Sequence, residues 1–430
     1  YYFEVSYGSV SIVGDVLNNI DPNTGRYEWL EADYNKSHYA ALPNQNDDLI
    51  IEAIQKAEAA HQSNPEFKNP DDYYYICVLY AGPREGGSLW PHPTSVLGHR
   101  AYNHSEKWPG GDYPHFNHIG IHCHEFAHLL GLHDKYDPPV NVREYGLMGT
   151  GVYNGPLGRG ECPAHITCSG KIDLGWITPT TITSNMHVQI LPLETNSTNS
   201  VYKLEFDSYR YYLLENRQYT GFDLYLPGHG EWEEEGGLLI WYIQNTSTHK
   251  EELKEADNGQ DIAGGDIFPG ATDNTEFSGI TEPSSNYDSD ILGTTYENCA
   301  SGISAKNINI AQALAPVEAD IALNGWAGNI QPWRHLTWEN EQYVIGSVKV
   351  FQNSSITILP STVIKFSSGI RLTINGTLNA DGTTFTSAGS NPGSGDWHGI
   401  VFDNADNNSY IKNSTVKYAT YGIECIDCSP

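Results

Sequence analysis

His124-Glu125-Phe126-Ala127-His128-Leu129-Leu130-Gly131-Leu132-His133-Asp134 is the stretch from which the rest of the chain is read. Apolar periodicity from Ile119 to Leu130 predicts a helix, and Gly131 stands where a left-handed cap would end it. Helical residues four apart share a face, so the imidazoles of His124 and His128 can reach one metal ion. Glu125, directly after the first histidine, suits a base that holds water rather than a ligand of the metal. A glycine three residues past His128 lets the chain turn sharply and bring a later side chain back. Six residues past His128 that side chain is Asp134, with His133 one position short. Aspartate is an established zinc ligand, and Asp134 is favoured over His133.

The chain has only 2 methionines, and one of them, Met148, lies in Tyr145-Gly146-Leu147-Met148-Gly149-Thr150-Gly151. That is where a metzincin-like turn would run beneath the metal. Helix, carboxylate and methionine in this order predict a zinc site of His124, His128 and Asp134, with Glu125 as general base.

Composition agrees with a chain that folds around a sizeable core and argues against some classes of partner. The chain has 430 residues, long enough for two to three domains, with 39% hydrophobic and 18% charged residues. Its 23 Lys and Arg against 53 Asp and Glu give a net charge of -30, which repels phosphates and anionic lipid. Nucleic acid is therefore not an expected partner, and no apolar run is long enough to span a bilayer. The chain opens on Tyr1 within an alternating, strand-like stretch through Val10, from which we expect a leader and pro-segment already removed. Scarce lysine and abundant Tyr, Asn, Thr and Gly favour an extracellular address. The 7 cysteines are too few for a disulfide framework, though Cys162 and Cys168 could close a small bridged loop.

Along the chain, residues 47–62 read as an amphipathic helix behind an acidic first turn, and residues 73–80 as a buried strand. A polar loop is expected from there to about residue 114. Residues 187–250 alternate as antiparallel strands. Beyond residue 336, apolar dyads such as Val348/Val350, Ile356/Ile358, Ile364/Phe366 and Leu372/Ile374 recur between small polar corners. That pattern predicts a β-solenoid, with a small β-sandwich as the rival.

Several segments carry a family resemblance. They are the run from His124 to Asp137, Gly146 to Gly155, Lys171 to Ile177, Tyr212 to Arg217 and Gly237 to Trp241. Through them, residues 1 to about 335 resemble the immune inhibitor A family of secreted bacterial metallopeptidases. The resemblance implies zinc on His124, His128 and Asp134, catalysis by Glu125, and synthesis as a secreted zymogen. The tail from about residue 343, with Gly395-Asp396-Trp397-His398-Gly399-Ile400, resembles the right-handed β-helix modules appended to many secreted bacterial enzymes. This chain departs from the pattern in having His133 where a proline would match better, and in lacking a tyrosine two positions after Met148. His133, Tyr145 and Tyr153 are the candidates to reach the site instead.

The expected architecture is α+β: a metzincin-like zinc peptidase domain (1–180), an antiparallel β-rich region (181–335) and a partial parallel β-helix (336–430). Asp257, Asp261 and Asp266, interleaved with Gly and Asn, are candidates for calcium. His115, His118 and His122 read as solvated or supporting histidines. The function expected is a secreted zinc endopeptidase acting on proteins or peptides. The alternative is an extracellular surface or assembly protein with a structural or latent metal site, since an open solenoid end suits stacking or further coils.

Overall fold

The structure, a computed structural model, describes residues 1–17, 24, 29–83, 89–107, 116–137, 140–229, 236–246, 249–257, 266–269, 273–291 and 294–428. It is β-rich and ends in a β-solenoid.

The N-terminal part begins with helices α1 (Tyr2–Val5), α2 (Lys36–Ala40) and α3 (Gln45–Ser63), followed by strands β1 (Tyr75–Pro83), β2 (Pro93–Val96) and β3 (His99–Lys107). The strands form one sheet in the order β1-β3-β2, with β1 and β3 parallel. The helix expected at 47–62 is α3. Its first turn carries Asp47 and Asp48, and its buried Ile50 and Ile54 pack on Ile76 and Ala101 of the sheet. The strand expected at Tyr1–Val10 is instead the single turn of α1. Tyr2 and Val5, three apart, both face the core, and the Tyr2 hydroxyl donates to the Cys123 carbonyl. β1 is buried on one face only, not on both. The stretch expected as a polar loop contains β2 and β3. Its polar residues are buried through hydrogen bonds, as where Asn103 Nδ2 donates to Asn46 Oδ1 at 3.1 Å, and an apolar pattern cannot reveal such a strand.

Helix α4 (Ile119–Leu130) has the bounds expected, and Gly131 caps it in the left-handed region at φ 112°. After β4 (Val140–Asn141) and α5 (Cys168–Asp173) come β5 (Thr180–Thr181), β6 (Met186–Ile190), β7 (Val201–Glu205), β8 (Arg210–Arg217), β9 (Gly237–Asn245) and β10 (His249–Leu253). They include a six-stranded sheet ordered β4-β10-β9-β8-β7-β5, antiparallel from β10 to β7 as the alternation predicts. Both faces of β8 and β9 are covered. Tyr212, Leu214 and Ile240 face one core, while Leu213, Leu239 and Trp241 face another with Tyr145 and Cys168. β11 (Tyr287–Ile291), β12 (Thr294–Cys299), β13 (Ser304–Ile310) and β14 (Val317–Ala322) follow, and β13-β14-β6 make a small sheet over the first of those cores.

Parallel stacking runs through β15 (Gly325–Ile330), β16 (His335–Trp338), β17 (Glu341–Val350), β18 (Ser355–Ile358), β19 (Val363–Phe366), β20 (Arg371–Ile374), β21 (Thr377–Asp381), β22 (Thr384–Ser387), β23 (Trp397–Asp403), β24 (Tyr410–Lys412), β25 (Thr415–Val416) and β26 (Ala419–Ile426). Three ladders make three faces. Trp338, Ile358, Ala380 and Ile411 align in one, Ile364, Phe385 and Val416 in a second, and Val348, Leu372, Ile400 and Ile423 in the third. Each coil buries its apolar residues on the next, with Phe366 stacked on Trp397 at 3.9 Å. A fully buried side chain of this size contributes roughly 1.5–3 kcal/mol. The last coil leaves Tyr421, Ile423 and Ile426 exposed. Among the described residues no helix is long and apolar enough to cross a membrane.

Candidate metal centre

Helix α4 is seated by a glycine. A Cβ on Gly120 would lie 2.0 Å from the Val152 carbonyl oxygen, and the Gly120 amide donates to the Gly160 carbonyl at 2.9 Å. Below the helix, Leu147, Met148, Val152 and Ile166 share one apolar cluster with Cys123 and Ala127. Met148 is thus packed against the helix.

The two histidines are oriented through their Nδ1 atoms. His124 Nδ1 lies 3.0 Å from the Leu147 carbonyl, and His128 Nδ1 lies 2.8 Å from the Leu132 carbonyl. A carbonyl only accepts, so both Nδ1 atoms carry hydrogen and both Nε2 atoms present lone pairs. These Nε2 atoms stand 3.1 Å apart. Past Gly131 the chain doubles back, and Asp134 Oδ1 comes to 3.1 Å from His124 Nε2 and 3.2 Å from His128 Nε2. Ligands at about 2.0–2.1 Å in a tetrahedral zinc site lie roughly 3.3–3.4 Å from one another, so this triangle has the size such an ion needs. Two lone pairs and a carboxylate converging on one point make this a candidate cation site by its donor chemistry.

The segment carrying Asp134 is held on both sides. The Lys135 amide donates to the Met148 carbonyl at 2.7 Å, and the buried Lys135 Nζ binds Glu251 Oε2 and Ser169 Oγ, each at 2.7 Å. The Tyr136 hydroxyl donates to Asp134 Oδ2 at 3.0 Å. Partial burial raises the Asp134 carboxyl, but its contacts with the imidazoles of His124 and His128 and with the Tyr136 hydroxyl outweigh it and hold the group well below the usual carboxylate range. Tyr136 is a site residue that motif reading missed. Its only signal was a phenol two positions past Asp134.

Glu125 is 4% exposed, and its Oε2 is buried without a hydrogen-bond partner. Burial pushes its carboxyl up to about 7, against the opposing pull of His124 and His128. A carboxyl poised near neutrality can both accept and return a proton.

No family profile matches this chain, and no curated protein matches it either.

Other expected site residues lie elsewhere. His133 is exposed, outside the triangle. The Tyr145 hydroxyl donates to Asp266 Oδ2 at 2.9 Å, which commits it to a different cluster, and the Tyr153 ring packs beneath α4. His122 stacks on His104 at 4.4 Å, and His118 Nε2 lies 3.6 Å from Glu161, while His115 is outside the described residues. Of the calcium candidates, Asp257 and Asp266 do come together, with Glu255 as the third carboxylate, and Asp261 lies outside the described residues. Glu255 is also paired with Arg143 at 2.5 Å. Cys162 and Cys168 are separate thiols rather than a bridge. Helix α5 turns Cys168 into the core beside Val201 and Leu213, whereas Cys162 Sγ faces the Gly221 carbonyl at 3.5 Å. A cavity of about 1520 Å³ lies behind α4, lined by Phe126, Leu129, Leu130 and Tyr75, and includes none of the triad or Glu125.

Proposed function

We propose that the chain is a secreted zinc endopeptidase of the immune inhibitor A type, with a metzincin-like catalytic unit in its N-terminal part and the solenoid as an appended module. The observation that carries this reading is the triangle of His124 Nε2, His128 Nε2 and Asp134 Oδ1 with sides of 3.1, 3.1 and 3.2 Å, next to the buried carboxyl of Glu125. His124, His128 and Asp134 would hold the ion. Zinc bound there supplies Lewis acidity, which lowers the pKa of water toward about 7 and favours negative charge on a carbonyl oxygen.

The chain's own groups do the rest. The Leu147 and Leu132 carbonyls fix the imidazole orientations, and Tyr136 and the Lys135 contacts fix the carboxylate. Glu125 accepts a proton from the attacking water and returns it to the leaving nitrogen, a role suited to its raised pKa. Proteins or peptides are the substrates this chemistry serves.

The test is hydrolysis of unfolded casein by the full chain beside Glu125→Ala, with zinc measured on both. Loss of cleavage while zinc stays near one per chain supports the reading. A native chain that holds zinc yet cuts neither casein nor a broad peptide library moves the assembly-protein alternative ahead.

A further inference from the structure

His99, the first residue of β3, is 5% exposed. Its Nδ1 lies 2.7 Å from the Tyr73 carbonyl, which only accepts, so Nδ1 carries the hydrogen and Nε2 presents a lone pair. That Nε2 is buried and has no hydrogen-bond partner. Its nearest charged neighbour, Asp71 Oδ1, is 3.9 Å away, too far for a hydrogen bond. Glu58, from α3, brings a second carboxylate, and one ligand atom from each of the three residues lies within 4.8 Å of the others.

An imidazole whose outer nitrogen is fixed by a backbone carbonyl and whose inner nitrogen is left bare is how proteins prepare a histidine for a metal. Leaving that lone pair buried and unmatched has a free-energy cost, which a cation would remove. Two carboxylates and a neutral imidazole balance a divalent charge. The donor set also selects among ions. Imidazole suits zinc and other first-row transition ions, whereas calcium takes oxygen ligands. Tetrahedral ligands at about 2.0–2.1 Å stand roughly 3.4 Å apart, so the carboxylates close on His99 by rotating through about an ångström. The Asp71 side chain is 71% exposed, so ions have a route in and water can complete the shell.

We propose that Glu58, Asp71 and His99 form a second metal site, for zinc or a similar divalent transition ion. The ion staples α3 and the turn before β1 to the start of β3. The next residue, Arg100, donates from Nη2 to the His128 carbonyl at 3.1 Å, so the staple stiffens a strand that braces α4. Its role is structural, and it does not depend on the peptidase reading.

The experiment uses the full chain carrying His124→Ala and His128→Ala, which removes the first site. It is dialysed against zinc and then metal-free buffer, and bound zinc is measured by mass spectrometry, with folding checked by circular dichroism. One zinc per chain should remain, and excess zinc should raise the unfolding temperature. Adding His99→Gln should abolish both effects. If that buried substitution prevents folding, Asp71→Asn decides, because its side chain is exposed. It should weaken zinc binding at least about 10- to 100-fold, the loss seen on removing even an outer partner. A folded double variant that retains no zinc overturns the proposal. So does retained zinc that neither His99→Gln nor Asp71→Asn diminishes.

Discussion

Replacing Glu125 by glutamine is expected to stabilise the zinc-free chain at alkaline pH while abolishing its activity when zinc is bound. Burial pushes the Glu125 carboxyl from its ordinary 4.5 up to about 7. A carboxyl whose pKa is higher folded than unfolded contributes stability that is whole below 4.5 and lost as pH rises through 7. Between pH 5 and pH 8, at about 1.4 kcal/mol per pH unit separating the two pKa values, the native chain loses roughly 2 to 3 kcal/mol. Glutamine has nearly the same shape and does not titrate, so its stability lacks this slope. Because the quantity compared is the change with pH, any fixed cost of burying the amide cancels. The assay is urea unfolding of both chains in chelator at pH 5 and pH 8. The gap should move in the variant's favour by that amount, and zinc should shrink it, since a nearby cation favours the charged carboxylate. Loss of the base should lower hydrolysis by about 10²- to 10⁴-fold. Parallel unfolding curves at both pH values would refute the reasoning, because they would mean that the carboxyl is solvated.

Asp134→Ala should release zinc, whereas Tyr136→Phe should keep the stoichiometry and weaken affinity by about 10- to 100-fold, read by competition with a chromogenic chelator. Arg217→Met should lower stability by about 3–5 kcal/mol in urea, because buried Asp223 (2.5 Å), Glu215 (3.3 Å) and Glu194 (3.7 Å) lose their shared cation. It should also loosen the Met148 turn, since Arg217 Nη1 donates to the Tyr145 carbonyl at 3.1 Å. Gly120→Ala should displace α4 and lower zinc occupancy, because its Cβ meets the backbone of Val152 and Gly160. Gly131→Ala has open space around it and should cost about 1–3 kcal/mol, from its positive φ, with zinc binding retained.

The elements with short-range grammar were legible. α4, its glycine cap and the His124–His128 spacing follow from helical period, and the solenoid follows from dyads that stack only if each coil repeats the last. α3 was legible because an acidic first turn precedes apolar residues at helical spacing. Polar strands were not. β3 buries His99, Asn103, His104 and Ser105, with His99 and Asn103 hydrogen-bonded to the distant Tyr73 and Asn46, so its sequence carries no apolar signature. At the N-terminus, Tyr and Val alternation looked like a strand, yet the contacts offered by α4 rewarded a spacing of three.

The site divides the same way. His124, Glu125 and His128 lie within one turn of helix, where bond geometry alone decides which side chains are neighbours. Asp134 could be narrowed to two candidates, because a left-handed glycine redirects the chain but does not say which following side chain returns. Tertiary contacts, the Lys135 amide on Met148 and the Lys135 side chain on Glu251 and Ser169, set the Asp134 carboxylate against the two histidines and leave His133 outside the triangle. The separation of Cys162 from Cys168 was likewise decided by the core that α5 packs against. Glu58, Asp71 and His99 come from a helix, a turn and a strand, and no local period links them. Sequence alone determined what sits within a few residues along a regular backbone. Which distant groups share a point was decided by packing, because long-range contacts depend on how whole faces are buried against one another.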